Sequence, residues 1–201
     1  MPILLMLCGC IFLFFSILFI SIPILSVFDL ASIEWLSQHR SVFLNKVTTC
    51  LSLIGGTPFV LFISVLCTIY MIWYEKYSNL AFYYIALFGS IGLGWSLKYL
   101  IAKPRPPQNF HLVESYGASF PSAHSLYAAT LACLVIYIYL QHPKHKVILL
   151  CSMIWMLLMG FSRVYVGVHF PSDILSGWGI GLIWTSLLYL IFFKYRSARN
   201  L

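Results

Sequence analysis

The 201-residue sequence predicts an all-α integral membrane protein: a bundle of six transmembrane helices with both termini cytoplasmic and a short amphipathic helix on the outer surface. Three observations predict it. Hydrophobic residues make up 61% of the chain and charged residues 8%, with a mean hydropathy of +0.93; a soluble domain of this size cannot bury so much apolar surface. Apolar runs recur at 3–27, 53–73, 80–101, 122–140, 147–166 and 173–193, each near the roughly 20 residues a helix needs to cross a hydrocarbon core. With six spans, Lys76, Lys144, Lys146 and the terminal Lys194, Arg196 and Arg199 share one side with the N-terminus. The positive-inside rule favours that side as the cytoplasm, although the opposite loops also carry Arg40, Lys46, Lys103 and Arg105.

The elements follow in order. Residues 1–27 contain no Lys or Arg and the apolar stretch exceeds a signal peptide's core, so the first run is expected to stay as a span. Segment 29–52 mixes Leu30, Ile33, Leu36, Phe43, Val47 and Leu51 at helical spacing with Asp29, Glu34, Arg40 and Lys46. It reads as one or two amphipathic helices on the outer surface, with Trp35 at the interface. Gly55, Gly56 and Pro58 interrupt the pattern before the second span. Loop 102–121 carries Pro104, Pro106, Pro107 and Pro121 and is expected to be turn-rich rather than helical. In the last span Gly177, Gly179 and Gly181 suit close helix packing. Six spans leave no room for a soluble appendage, so residues 1–201 form a single domain. The six cysteines show no metal-type spacing and read as apolar packing. The net charge of +7 follows the membrane edges, so the expected partner is the bilayer and not nucleic acid.

Three outward segments hold ionisable residues that an apolar chain does not carry idly. The first has Lys98 near the end of span three and Arg105 in the proline turn; an ammonium and a guanidinium both suit phosphate. Each could instead be an interface anchor, and Lys103 is read as one. The second is Pro121-Ser122-Ala123-His124, where Ser122 can cap span four and the free amides of a helix start favour an anion. His124 there could also be a satisfied interfacial residue. The third runs from Arg163 to His169 and Asp173. A carboxylate four residues after a histidine, across a helix start, can fix its tautomer and leave a competent nucleophile; a capping Asp and a surface His would look the same. Too few carboxylates stand nearby for a hard-cation cage, and neighbouring cations oppose a metal, so no metal and no cofactor is expected. His111 and Glu114 read as solvated loop residues.

Taken together, Lys98…Arg105-Pro106, then Pro121-Ser122-Ala123-His124, then Ser162-Arg163…His169…Asp173 resemble the three signature motifs of the type 2 phosphatidic acid phosphatase superfamily, in its small integral-membrane bacterial branch. The resemblance covers about residues 98–173, with matching spacing inside each motif. One position departs: Ala123 stands where the family has glycine, which is harmless if it lies in the first helical turn. The resemblance implies that His169 attacks the terminal phosphorus, Asp173 orients it and His124 acts as general acid and then base. Lys98, Arg105, Ser122, the Ala123 amide and Arg163 would hold the phosphate. It implies a metal-independent phosphatase acting on a phosphorylated membrane lipid from the outer, periplasmic face of the bacterial cytoplasmic (inner) membrane. Undecaprenyl diphosphate is the expected substrate. Phosphatidylglycerophosphate, phosphatidate or a lipid A phosphate are alternatives, and an inactive lipid-phosphate-binding protein or transporter is a reading of another class.

Overall fold

A computed structural model describes residues 1–194; Arg196 and Arg199, expected on the cytoplasmic side, lie outside the described residues. The described residues form eight α-helices and no strand: α1 (Pro2–Ser21), α2 (Pro23–Gln38), α3 (Val42–Ile54), α4 (Thr57–Trp73), α5 (Tyr77–Ile101), α6 (Ala123–Ile138), α7 (His145–Tyr165) and α8 (Pro171–Tyr189). A short π-helical turn, Leu190–Lys194, continues α8.

The span count differs from the six expected. Four helices are long and apolar enough to cross a membrane: α1, α5, α7 and α8 with its continuation. The α3–α4 pair, bent by 54°, makes a fifth if taken as one span. α6 has 16 residues, about 24 Å at 1.5 Å per residue, and is buried on nearly all sides. Its apolar run is real, but it is apolar because the helix is central. The first run also ends sooner than expected. Ile22 is extended at φ −103°, ψ 114°, because the ring of Pro23 disfavours a helical residue before it; residues 23–27 therefore open α2.

α8 is the centre of the bundle. Gly9 of α1 and Gly179 meet so closely that a Cβ on either would lie 2.8 Å from the other's carbonyl oxygen. On its other side Gly177 and Gly181 let α8 approach α6, where added Cβ atoms would lie 2.7 Å from the Ser122 carbonyl and 2.8 Å from Ala129 Cβ. The glycines pack helices, as their spacing suggested. Tyr137 and Ser186 hydroxyls pair at 2.6 Å between α6 and α8, and Trp184 Nε1 donates to the Ala86 carbonyl of α5 at 3.0 Å.

The last turns of α5 and α7 and the first turns of α6 and α8 meet at one end of the bundle, under loop 102–121 and the α2–α3 segment. Met1, Lys76, Lys144 and Lys146 lie at the other. α2 packs at this end. Ile24, Val27, Phe28 and Trp35 are exposed, while Asp29 and Ile33, one turn apart, are buried. α3 starts on a Ser41 cap, whose Oγ accepts the Leu44 N–H at 3.2 Å. Arg40, between them, donates to the carbonyls of Phe110 and Tyr165 at 2.6 and 2.9 Å and ties the segment down.

Candidate active site

His169 sits in the turn joining α7 to α8. Gly167 makes that turn possible: its φ is +80°, and a Cβ there would lie 2.1 Å from the Phe110 carbonyl oxygen. The imidazole is 3% exposed. Arg105 Nη1 approaches its Nε2 at 3.2 Å. A guanidinium only donates, so Nε2 holds the lone pair and Nδ1 the proton. That proton faces Ser119 Oγ at 3.3 Å and Asp173 Oδ2 at 3.5 Å. Burial pushes the His169 pKa down to about 3; Asp173 opposes the shift, and the charges of Arg105 and Lys98 add to it. The ring is therefore neutral at neutral pH, with its lone pair beside a cation.

Asp173 is fully buried in the first turn of α8. Its Oδ2 accepts the Phe170 N–H at 2.9 Å, closing the helix start, and the Ser119 hydroxyl. Its Oδ1 accepts from Lys103 Nζ at 2.9 Å. Lys103 is thus not the interface anchor its position suggested. It also donates to Ser172 Oγ at 2.8 Å and to Asp29 Oδ2 at 3.4 Å, and lies 4.3 Å from the Phe170 ring centroid. Desolvation outweighs these partners and raises the Asp29 pKa.

The α6 start reaches the same place. Ser122 N–H donates to the Asp173 carbonyl at 3.0 Å, and Ser122 Oγ caps α6 by accepting from Ser125 N at 3.4 Å. Ala123 is the first residue of α6 and has no positive φ, so its methyl brings no backbone strain. His124 Nε2 lies 3.0 Å from the Ser52 carbonyl and 3.1 Å from Arg163 Nη1. A carbonyl only accepts, so in this state Nε2 carries the proton and its approach to Arg163 is not a hydrogen bond. Arg163, 2% exposed, donates from Nη1 to Ser52 Oγ at 2.8 Å. Its buried Nε and Nη2 have no hydrogen-bond partner among the described residues. Lys98 Nζ donates to the Ala118 carbonyl at 2.6 Å. Arg105 donates to three carbonyls, Gly117 from Nε at 2.9 Å, Val168 from Nη1 at 2.8 Å and Tyr116 from Nη2 at 2.8 Å, and keeps a second Nη2 N–H. It clamps loop 102–121 onto the His169 turn. All eight residues singled out from the sequence therefore stand at one end of the bundle.

Residues 76–197 match the family model of the PAP2 superfamily. The chain belongs to the PAP2 superfamily. Phosphatidylglycerophosphatase B of Bacillus subtilis (strain 168) is 33% identical over 150 residues, 72% of this chain and 73% of that protein. The undecaprenyl-diphosphatase of Sulfolobus acidocaldarius is 40% identical over 105 residues, 49% of this chain and 48% of that one. The crystal structure of a transmembrane PAP2-type phosphatidylglycerolphosphate phosphatase from Bacillus subtilis superposes with a TM-score of 0.81 at 27% identity, over 98% of this chain and 96% of that one. This chain is accordingly a multi-pass membrane protein of a lipid phosphatase family.

Within this PAP2 end, sequence reasoning missed Asp29, Ser52, Lys103 and Ser119. Asp29 offered one signal, as an acid in an otherwise apolar stretch. Ser52 and Ser119 offered none, since each acts through a fold-dependent contact. Among the described residues no group of three His, Cys, Asp or Glu is placed to hold a metal ion.

Proposed function

We propose that this protein hydrolyses the terminal phosphate of a membrane lipid through a phosphohistidine on His169. One observation carries the reading: the His169 Nε2 lone pair faces the Arg105 guanidinium, while Asp173 and Ser119 occupy Nδ1. Nε2 attacks phosphorus and the bond from phosphorus to the lipid oxygen breaks. The ring then carries a positive charge that buried Asp173 balances. An imidazolium at His124 gives its proton to the leaving oxygen. The neutral ring then takes a proton from water as that water's oxygen displaces His169 and releases phosphate. Arg163, with two uncommitted donor nitrogens, Lys98, Arg105, Ser122 and the Ala123 amide hold the phosphate oxygens. Phosphoryl transfer asks for little beyond such positioning and charge stabilisation, so the reading needs no metal.

The site is proposed to face outward from a bacterial cytoplasmic (inner) membrane, with both termini inside. The placement of Lys76, Lys144 and Lys146 at the far end supports this orientation. Residues 1–201 are proposed to act as one domain, since α2 supplies Asp29 to the same cluster as α8. Two substrate readings each rest on a relative: phosphatidylglycerophosphate on the Bacillus protein, undecaprenyl diphosphate on the Sulfolobus one. The purified protein, incubated in EDTA with phosphatidylglycerophosphate, phosphatidate and undecaprenyl diphosphate, should release phosphate from at least one. Silence on all three, with or without added metal, overturns the enzyme reading; release only with metal overturns the metal-free mechanism. His169→Ala should abolish turnover while the protein stays folded in detergent.

A further inference from the structure

The cluster behind His169 contains more than the motif residues. Lys103 Nζ has three N–H groups and three acceptors: Asp173 Oδ1, Ser172 Oγ and Asp29 Oδ2. Nothing remains for a phosphate, in contrast to Arg163. Asp29, from α2, accepts the Ser172 N–H on Oδ1 at 3.0 Å and the Ser172 hydroxyl on Oδ2. It therefore closes the start of α8 from outside while Asp173 closes it from within. Two carboxylates and one ammonium leave a single negative charge, which matches the single positive charge that phosphorylated His169 would carry.

We propose that Lys103 and Asp29 are positioning residues for His169: Lys103 fixes one oxygen of Asp173 so that the other faces the imidazole, and Asp29 sets the cluster to one net negative charge. The proposal rests on the reading of His169 as nucleophile. The ionisable groups around this site are Asp29 from α2, Lys98 from α5, Lys103 and Arg105 from the loop, His124 from α6, Arg163 from α7 and Asp173 from α8. Of these, Lys103 and Asp29 touch Asp173 or its neighbour Ser172 and are not assigned to the phosphate. Removing Lys103 leaves two uncompensated carboxylates near His169 and favours its protonation. Removing the Asp29 charge does the reverse. The two substitutions thus move the acid limb of activity in opposite directions, which a merely structural role does not do.

The test is the pH–rate profile of wild type, Lys103→Met, Lys103→Arg and Asp29→Asn in detergent, on each of the three lipids above, with His169→Ala alongside. Lys103→Met should lose roughly ten- to a hundredfold in kcat, the scale of a misplaced catalytic group, with KM within about threefold and the acid limb moved to higher pH. Asp29→Asn should lower kcat with the limb moved to lower pH, and Lys103→Arg should recover most of the wild-type profile. A raised KM at unchanged kcat in Lys103→Met makes Lys103 a phosphate ligand and overturns the proposal. So do limbs that stay put or move in the same direction. If Lys103→Met does not fold, the Asp29→Asn limb decides: a downward shift supports the proposal and an unmoved limb overturns it. Turnover by His169→Ala, or none by wild type, overturns the nucleophile reading and this proposal with it. Inactive His169→Ala with an unchanged Lys103→Met profile overturns this proposal alone.

Discussion

At His169 the two ring nitrogens have separate surroundings, a cation at one and a carboxylate with a hydroxyl at the other. That asymmetry has a thermodynamic signature. The folded ring resists protonation down to about pH 3, whereas in an unfolded chain an ordinary histidine binds a proton below about 6.5. Between those values the unfolded state holds the extra proton, so stability falls as pH falls through the window. Acidifying from 6.5 to 5 should remove on the order of 2 kcal/mol through this residue alone. Melting curves in detergent over that range should therefore fall more steeply for wild type than for His169→Asn; equal slopes would refute the buried neutral ring. The i, i+4 link from His169 to Asp173 was legible because a helix start fixes it locally. Lys103 was not legible. Its partner Asp29 lies 74 residues away, and nothing in a proline-rich loop says which way a lysine turns.

At the scale of elements, α8 depends on small residues on two faces at once. Gly177→Ala should push α8 from the start of α6, where its methyl meets the Ser122 carbonyl. The expected destabilisation is about 1–3 kcal/mol, and turnover should fall with it because Ser122 caps the helix bearing His124. Gly92→Ala, on α5 with nothing within 4 Å of its added Cβ, should leave both unchanged or slightly improve stability. Thermal melts and turnover of the pair check this; equal effects would mean that α8 packing does not reach the site. The long runs of α5, α7 and α8 were readable from hydropathy alone. Hydropathy could not separate α6, apolar because it is central, from a lipid-facing span, nor register that Pro23 ends α1.

For the whole molecule, the site and the loops bearing Lys76, Lys144 and Lys146 lie at opposite ends of the bundle axis, although Lys46, Lys103 and Arg105 stand at the site end. Tyr116, 81% exposed, belongs to the site end, and exposed Lys144 to the opposite one. A membrane-impermeant maleimide added to intact cells should label Tyr116→Cys above the parent chain. Lys144→Cys should react only after the membrane is opened. The reverse pattern would invert the orientation. That Lys76, Lys144 and Lys146 share one end was readable in the sequence once the spans were counted, although length and composition alone pick out four or five of the six.

The shortness of α6 bears on how deep the chemistry lies. A helix about 24 Å long cannot touch both borders of a hydrocarbon layer about 30 Å thick. If its far end is level with one border, Ser122 and His124 sit roughly 6 Å below the other. A lipid phosphate reaching them must sink past the headgroup layer and shed most of its water on the way. On the proposed reading, Arg163, itself almost entirely enclosed and with two donor nitrogens unspent, would take the place of that lost water.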